Sequence, residues 1–291
     1  MQFDHYEVYV GKDIGGRECR ITPALIDTYE AGTGDRHPWY HGDSPFGSAV
    51  APALLLHSEV YRDLSWYLPN LVGNLHAKQE WELFAPMPVG SPVSTRATVV
   101  ERYRKRNRDY IVNEVLITDS AGRWLQRSRT HQSFLAEVAD PQAGAVVDKE
   151  REKRADRRFE VGGTAAEAIP SISRPITIAM CQAFSGPEKN YHTDRDMARM
   201  LGFPDIVVQG MMSICFIAEI MTRAFGAGWF LGGKLNVNLV NVVWAEETVT
   251  ARGQIREQVA EGSKTRLHLD VWCEKADGTK TVVGSASALR D

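Results

Sequence analysis

The sequence predicts an α+β protein made of two diverged copies of one unit, in which antiparallel strands wrap around a long buried helix. Internal similarity is the first observation. When Lys78 is placed on Lys234, the chain aligns with itself without gaps, and Glu101 then falls on Glu257. The second observation is a common order of elements, because each half has a polar loop, then a long apolar segment, then several alternating strands. Together these features favour a duplicated unit over one large irregular domain.

Each half contains a segment that is too continuously apolar for a surface helix, which predicts burial on nearly all sides. These segments are Ala49–Leu68 and Ile206–Ala224. The strands that follow alternate apolar and polar residues, and the matched pairs Ala121-Gly122 and Asp277-Gly278 predict hairpin turns between them. Nothing else in a half can cover its helix, so we expect two antiparallel sheets, merged side to side and each curled around its own helix.

The predicted boundaries place the first unit at residues 1–138 and the second at 166–291. Between them, residues 139–165 contain the charged run DKEREKRADRRFE, which is typical of a solvated linker or a short surface helix. Acidic residues are interspersed with the basic ones, which disfavours a nucleic-acid-binding tail.

Composition places the chain among ordinary globular proteins. Its 291 residues are 43% hydrophobic and 24% charged, and the formal net charge of −3 gives no reason to expect nucleic acid or an anionic membrane as a partner. The apolar stretch Asp205–Gly226 contains Gln209, Glu219 and Arg223, and is a poor membrane span. Four scattered cysteines and the absence of a signal-peptide pattern predict a reduced, cytoplasmic protein without disulfides, metal ions or a cofactor.

A known family is suggested by the stretch FSGPEKNYHTDRDMARMLGFPDIVVQGMM in the second half. It resembles the signature of MaoC-like dehydratases, also called R-specific enoyl-CoA hydratases, which begins S-G-D-x-N-P-x-H-x-D. The first-half loop GDRHPWY resembles the companion repeat of two-repeat members, whose fold is a double hotdog. The matching positions in the second half are Ser185, Gly186, His192, Asp194, Ala198, Gly202, Phe203, Ile206, Gly210 and Met211.

The resemblance implies a reaction and a set of site residues. Such enzymes interconvert an enoyl thioester and its 3-hydroxyacyl thioester, so the expected partner is an acyl-CoA or an acyl-carrier-protein thioester. His192 would act as the base, and the N–H of Gly210 at the helix start would stabilise the developing oxyanion. The residues expected to bind the substrate are Asp35, His37, Tyr40, Ser185 and Met211.

The sequence departs from the family pattern at the acidic residue, because Pro187 stands five residues before His192 where the family has Asp. Four interpretations remain open. Glu188, one place along, acts as the carboxylate partner and is the residue we assign. Asp35 of the first loop joins His192 in a composite site. Asp194 takes the role, although it is also a natural helix N-cap. Finally, the site has lost hydratase activity.

Two other functions are compatible with the same fold, because fold does not fix function. One is thioester hydrolysis by an acyl-CoA thioesterase. The other is a catalytically silent protein that binds acyl thioesters. In each case we expect a homodimer or a higher homo-oligomer.

Overall fold

The computed structural model describes residues 8–59, 61, 74–105, 108–135 and 167–290. The predicted linker at residues 139–165 lies outside these residues, and so does much of the first predicted buried helix. No helix in the described part of the chain combines the length and apolar composition needed to cross a membrane.

Both halves begin with a strand and a helix and end with four strands. The first half contains β1 Asp13–Arg20, α1 Pro23–Thr33, a 3-10 turn Pro38–Tyr40, β2 Leu75–Leu83, β3 Pro92–Lys105, β4 Arg108–Asp119 and β5 Trp124–Leu135. The second half contains β6 Ala168–Pro175, α2 Ile178–Ser185, α3 Arg195–Met200, α4 Gly210–Phe225, α5 Ala227–Phe230, β7 Lys234–Leu239, β8 Thr248–Glu261, β9 Lys264–Lys275 and β10 Lys280–Arg290.

All of these strands form one continuous antiparallel sheet, where the sequence predicted two sheets merged side to side. The strand order is β1-β3-β4-β5-β2-β7-β10-β9-β8-β6. The halves meet where Lys78–Glu82 of β2 pairs with Lys234–Asn238 of β7. Without this pairing, each half would expose a strand edge with unsatisfied N–H and C=O groups. The pairing satisfies both edges and makes the sheet continuous.

The predicted duplication is confirmed by details that recur in both halves. Each half has its strands in the same spatial order. A bulge interrupts β3 before Glu101, and another interrupts β8 before Glu257. Thr22 caps α1 and Thr177 caps α2, each by accepting a hydrogen bond from a backbone N–H with its side-chain oxygen. Elements that were aligned on sequence therefore have the same local geometry.

The apolar segment of the second half forms the long helix α4. Every side chain from Met211 to Thr222 is buried, because the helix packs against β6, β8, β9 and β10. In the first half, residues 53–58 of the predicted segment form turns, and Glu59 and Tyr61 are helical. Residues 60 and 62–73 lie outside the described residues.

Gly284 lies in β10 beside the junction of the two halves, where the neighbouring backbone approaches closely. A Cβ added there would lie 2.1 Å from the carbonyl oxygen of Asn236 and 2.7 Å from the Cα of Val237. Backbone atoms in the centre of a sheet cannot move aside as a flexible side chain can.

We expect Gly284→Ala to lower the free energy of unfolding by about 1–3 kcal/mol through overpacking. The measurement is the midpoint of urea-induced unfolding. Gly42→Ala is the matched control, because its added Cβ would have only an ordinary contact 3.5 Å from the Pro38 carbonyl oxygen. Equal stability of the two variants would contradict the expected backbone clash.

Candidate functional site

The second-half loop between α2 and α3 is organised by Asn190. Its Nδ2 donates to the carbonyl oxygens of Ser185 at 3.0 Å and Glu188 at 3.1 Å, and its Oδ1 accepts the His192 N–H at 2.8 Å. An amide side chain that bonds nearby backbone groups in this way stabilises a tight loop. This loop-organising role of Asn190 was not predicted from the sequence, although an Asn two residues before the candidate base is compatible with it.

His192 is held in one orientation by the segment that leads into α4. Its Nδ1 lies 2.7 Å from the carbonyl oxygen of Val207, so Nδ1 carries the proton and donates it. Nε2 has no hydrogen-bond partner among the described residues. The Tyr191 ring packs against the imidazole, with 3.9 Å between ring centroids. Burial lowers the pKa of His192 despite the opposing effect of the Val207 carbonyl. The ring is therefore neutral at pH 7, with Nε2 available as a base.

The loop is also tied to the start of α4 at its other end. The Ser185 hydroxyl donates to Gln209 Oε1 at 2.9 Å, and Gln209 is the residue before the helix. Gly210 is the first helical residue, and a Cβ added to it would lie 2.0 Å from Leu239 Cδ2. Met211 is completely buried. The structure thus brings Ser185 and the His192 loop to the positive end of the α4 dipole.

The structure does not bring a carboxylate to His192. The Glu188 side chain is exposed, while its backbone carbonyl accepts from Asn190 Nδ2 and from Thr193 Oγ1 at 3.1 Å. Asp194 instead caps α3 and lies 3.2 Å from the Lys189 ammonium. In the part of the chain that the structure describes, no carboxylate is within ion-pair distance of the imidazole.

The first-half loop does bring its predicted residues together. Asp35 is buried, and the Tyr40 hydroxyl donates to its Oδ2 at 2.7 Å. The other oxygen, Oδ1, is buried without a hydrogen-bond partner. His37 is half-buried, and its Nδ1 accepts the Trp39 N–H at 3.3 Å at the start of the 3-10 turn.

Residues of the second half complete the surroundings of Asp35. Glu219 of α4 is buried and bonded by two guanidinium groups. Arg174 Nη1 lies 2.9 Å from Glu219 Oε2, and Arg223 Nη2 lies 2.7 Å from Glu219 Oε1. Arg174 Nη1 also donates to the Thr33 carbonyl at 2.6 Å. The buried Glu219 is therefore paired, as burial of a charge requires. We call Asp35, His37 and Tyr40 of the first half, together with Arg174, Glu219 and Arg223 of the second half, the junction cluster.

The junction cluster shifts the acid–base behaviour of its members. Burial, followed by the charge of Glu219, raises the pKa of Asp35 to about 7. Burial also raises the pKa of Tyr40 well above its usual range. The pKa of His37 is lowered by burial and by Arg223. Asp35 is therefore a carboxyl group that can change its protonation state near neutral pH.

One further group of side chains offers atoms that a metal ion could use. Asp27, Glu30 and His41 place one such atom each within 4.8 Å of one another. His41 Nε2 and Glu30 Oε1 already lie 2.6 Å apart, and the group is largely exposed. Neither observation favours a metal over the ion pair, and the expectation of no metal stays a prediction.

We expect the stability of the wild type to fall relative to Asp35→Asn as the pH rises from about 4 to 7. Over this range the unfolded chain releases the Asp35 proton, from a group of ordinary pKa 3.8, while the folded chain retains it up to about pH 7. The loss is on the order of 1.4 kcal/mol for each pKa unit of difference. Urea unfolding of both proteins across this range measures it. A stability difference that does not change with pH would contradict the raised pKa.

Comparison with known proteins adds to this geometry. No protein-family model matches the chain, and no curated protein sequence does. Among solved structures, a MaoC-like dehydratase from Phytophthora capsici is 14% identical with a TM-score of 0.71, and the match covers 99% of this chain and 98% of that one. A conserved hypothetical protein from Mycobacterium tuberculosis, described as a double hotdog, is 14% identical with a TM-score of 0.62, covering 98% and 96%.

A third similar structure is described as a putative oleoyl thioesterase from Lactobacillus plantarum. It is 13% identical with a TM-score of 0.52, and the match covers 96% of each chain. These likenesses extend over both halves. The chain therefore has the double hotdog fold that is described for the Mycobacterium tuberculosis protein.

Proposed function

We propose that the protein is a hydro-lyase that interconverts an enoyl thioester and its 3-hydroxyacyl thioester, carried on coenzyme A or an acyl carrier protein. One observation carries the proposal. The proton on His192 Nδ1 is committed to the Val207 carbonyl, which leaves Nε2 as a neutral base beside the start of α4. The fold shared with MaoC-like dehydratases supports the same reaction class.

In the proposed hydration, His192 Nε2 takes a proton from water while the water oxygen bonds to C3 of the enoyl group. The π electrons of the C2–C3 bond move toward the thioester carbonyl, and the resulting oxyanion accepts a hydrogen bond from the Gly210 N–H. The imidazolium then returns its proton to C2. A single imidazole can perform both transfers because Nδ1 keeps its own proton throughout.

In the proposed mechanism His192 performs both proton transfers without a carboxylate partner. Glu188 is the carboxylate that the sequence assigns, but its exposed side chain has no hydrogen bond to the imidazole. Ser185 and Met211 are proposed to contact the substrate, because Ser185 bonds to the residue before α4 and Met211 lies in the first turn of that helix.

We expect His192→Ala to reduce hydration of crotonyl-CoA by about 10²–10⁴-fold, the usual contribution of a positioned acid–base group. The assay follows the loss of enoyl absorbance. Glu188→Gln is the matched control from the same loop and should retain the wild-type rate. A wild-type rate in His192→Ala would contradict the proposal. A loss of rate in Glu188→Gln equal to that in His192→Ala would show that Glu188 acts as the carboxylate partner.

The pH dependence of kcat/KM should report the same imidazole. Because the base is the neutral form and burial lowers its pKa, the rate should rise with pH and level off below the ordinary histidine pKa of 6.5. Initial rates measured from about pH 5 to 8 test this. A rate that still rises steeply above pH 6.5 would show that another group is the base.

Thioester hydrolysis is the second candidate, favoured by the likeness to the putative oleoyl thioesterase. A thiol-reactive dye separates the two functions, because hydrolysis releases free coenzyme A and hydration does not. With butyryl-CoA, which has no double bond to hydrate, we expect no thiol release. Thiol release without any change at the enoyl bond of crotonyl-CoA would show that the protein is a thioesterase and not a hydro-lyase. Binding without either reaction would support a silent acyl-thioester binder.

A further inference from the structure

The junction cluster contains a buried oxygen whose hydrogen-bonding capacity is unused. Asp35 Oδ2 accepts from the Tyr40 hydroxyl, whereas Oδ1 is buried with no partner. A buried polar atom that lacks a partner typically costs about 1–3 kcal/mol. Such an atom, on a carboxyl group already bonded to the Tyr40 hydroxyl, indicates a place that a ligand atom completes.

The groups around Asp35 determine whether it is protonated and which of its oxygens carries the proton. The two guanidinium groups close to Asp35 both bond to Glu219, so they do not neutralise the Asp35 carboxylate directly. Burial beside the Glu219 charge therefore favours the neutral acid. Since Oδ2 accepts the Tyr40 proton, the carboxyl proton is best placed on Oδ1. In this form Oδ1 is a buried donor that lacks an acceptor.

Titratable groups from several elements face Asp35, and all of them bear on its protonation. The groups are Tyr29 on α1, His37 and Tyr40 in the first loop, Arg174 on β6, and Cys215, Glu219 and Arg223 on α4. The pKa values of Tyr29 and Cys215 are raised by burial, so both stay neutral near pH 7. Glu219 and its two arginines remain paired. Asp35 is then the group of this cluster that titrates close to neutrality.

We propose that the junction cluster is a second binding site for an acyl thioester, in which Asp35 Oδ1 donates a hydrogen bond to the carbonyl oxygen of the ligand. The choice of ligand rests on the proposed function. The Asp35 loop follows α1 as the His192 loop follows α2, so the two loops occupy equivalent places in the two repeats. A carbonyl oxygen is an uncharged acceptor, which suits a neutral donor close to the Glu219 carboxylate.

The proposed site lies beneath a partly exposed rim. His37 and Trp39 of the first loop are half-buried, and the Arg223 side chain is 49% exposed. The Trp39 ring packs against Gly226 at the end of α4, where a Cβ would approach Trp39 Cη2 to 3.1 Å. In this proposal the ligand enters at the rim, and the His37 and Trp39 rings move aside to admit it.

The test uses the full chain and butyryl-CoA with an isotope label at its carbonyl carbon, because this saturated thioester cannot be hydrated. The wild type at about pH 6 should give a bound carbonyl resonance that is absent from Asp35→Ala. Asp35→Asn should retain it, since the amide also donates a hydrogen bond. Circular dichroism establishes that each variant is folded. If Asp35→Ala does not fold, the Asn variant and the pH dependence carry the test.

The pH dependence distinguishes a ligand contact from a structural role. Above about pH 7, the affinity of the Asp35-dependent site should fall about tenfold for each pH unit, because the carboxylate no longer donates. Asp35→Asn should bind with an affinity that does not follow this decline. Carbonyl resonances and affinities that are the same in the wild type and both variants at every pH would overturn the proposal.

The outcomes separate this inference from the proposed function. Crotonyl-CoA hydration that depends on His192, together with no Asp35-dependent carbonyl resonance, would overturn the second site and leave the hydro-lyase intact. An Asp35-dependent resonance in a protein that hydrates no enoyl thioester would support the second site and remove the proposed reaction.

Discussion

The pairing of β2 with β7 is the constraint on which the rest of the structure depends. It joins the two five-stranded halves into one sheet through main-chain hydrogen bonds. It also fixes where each half places its loop and helix relative to the other. Phe184 of α2 stacks on His57 of the first half with 4.1 Å between ring centroids. In the opposite direction, Asp35 faces Glu219 of α4. Each repeat therefore supplies part of the surroundings of the other.

The two repeat-related loops have diverged in a complementary way. The second loop has an imidazole near the start of α4, and none of the described carboxylates lies within ion-pair distance of it. The first loop has a carboxyl group beside a tyrosine hydroxyl. The surroundings of the two loops also favour different protonation states. Burial keeps His192 neutral, whereas burial and a neighbouring carboxylate keep the proton on Asp35. One loop thus presents a base near neutral pH and the other a donor, which is the physical basis for assigning them different roles.

Much of the fold was predictable because it depends on local pattern. Gapless self-alignment placed Glu101 on Glu257, and the structure has a β-bulge before each of them. The apolar run of the second half became α4. The site was less predictable. Glu188 was assigned from its place beside Pro187, but bonds from Asn190 and Thr193 to its backbone carbonyl leave its side chain exposed. The direction of a side chain in this loop is set by backbone hydrogen bonds that the spacing of residues does not reveal.

The sequence by itself determined the duplication, most of the strands that follow each apolar segment, the buried helix of the second half and the positions of the two polar loops. Each of these follows from residue periodicity or from spacing within one stretch of chain. Only the tertiary structure decided that β2 pairs with β7 and that Asp35, Arg174 and Glu219 form one cluster. Edge pairing and ion pairing join residues that are far apart in the chain, and no local pattern encodes which distant partner a strand edge or a charge will meet.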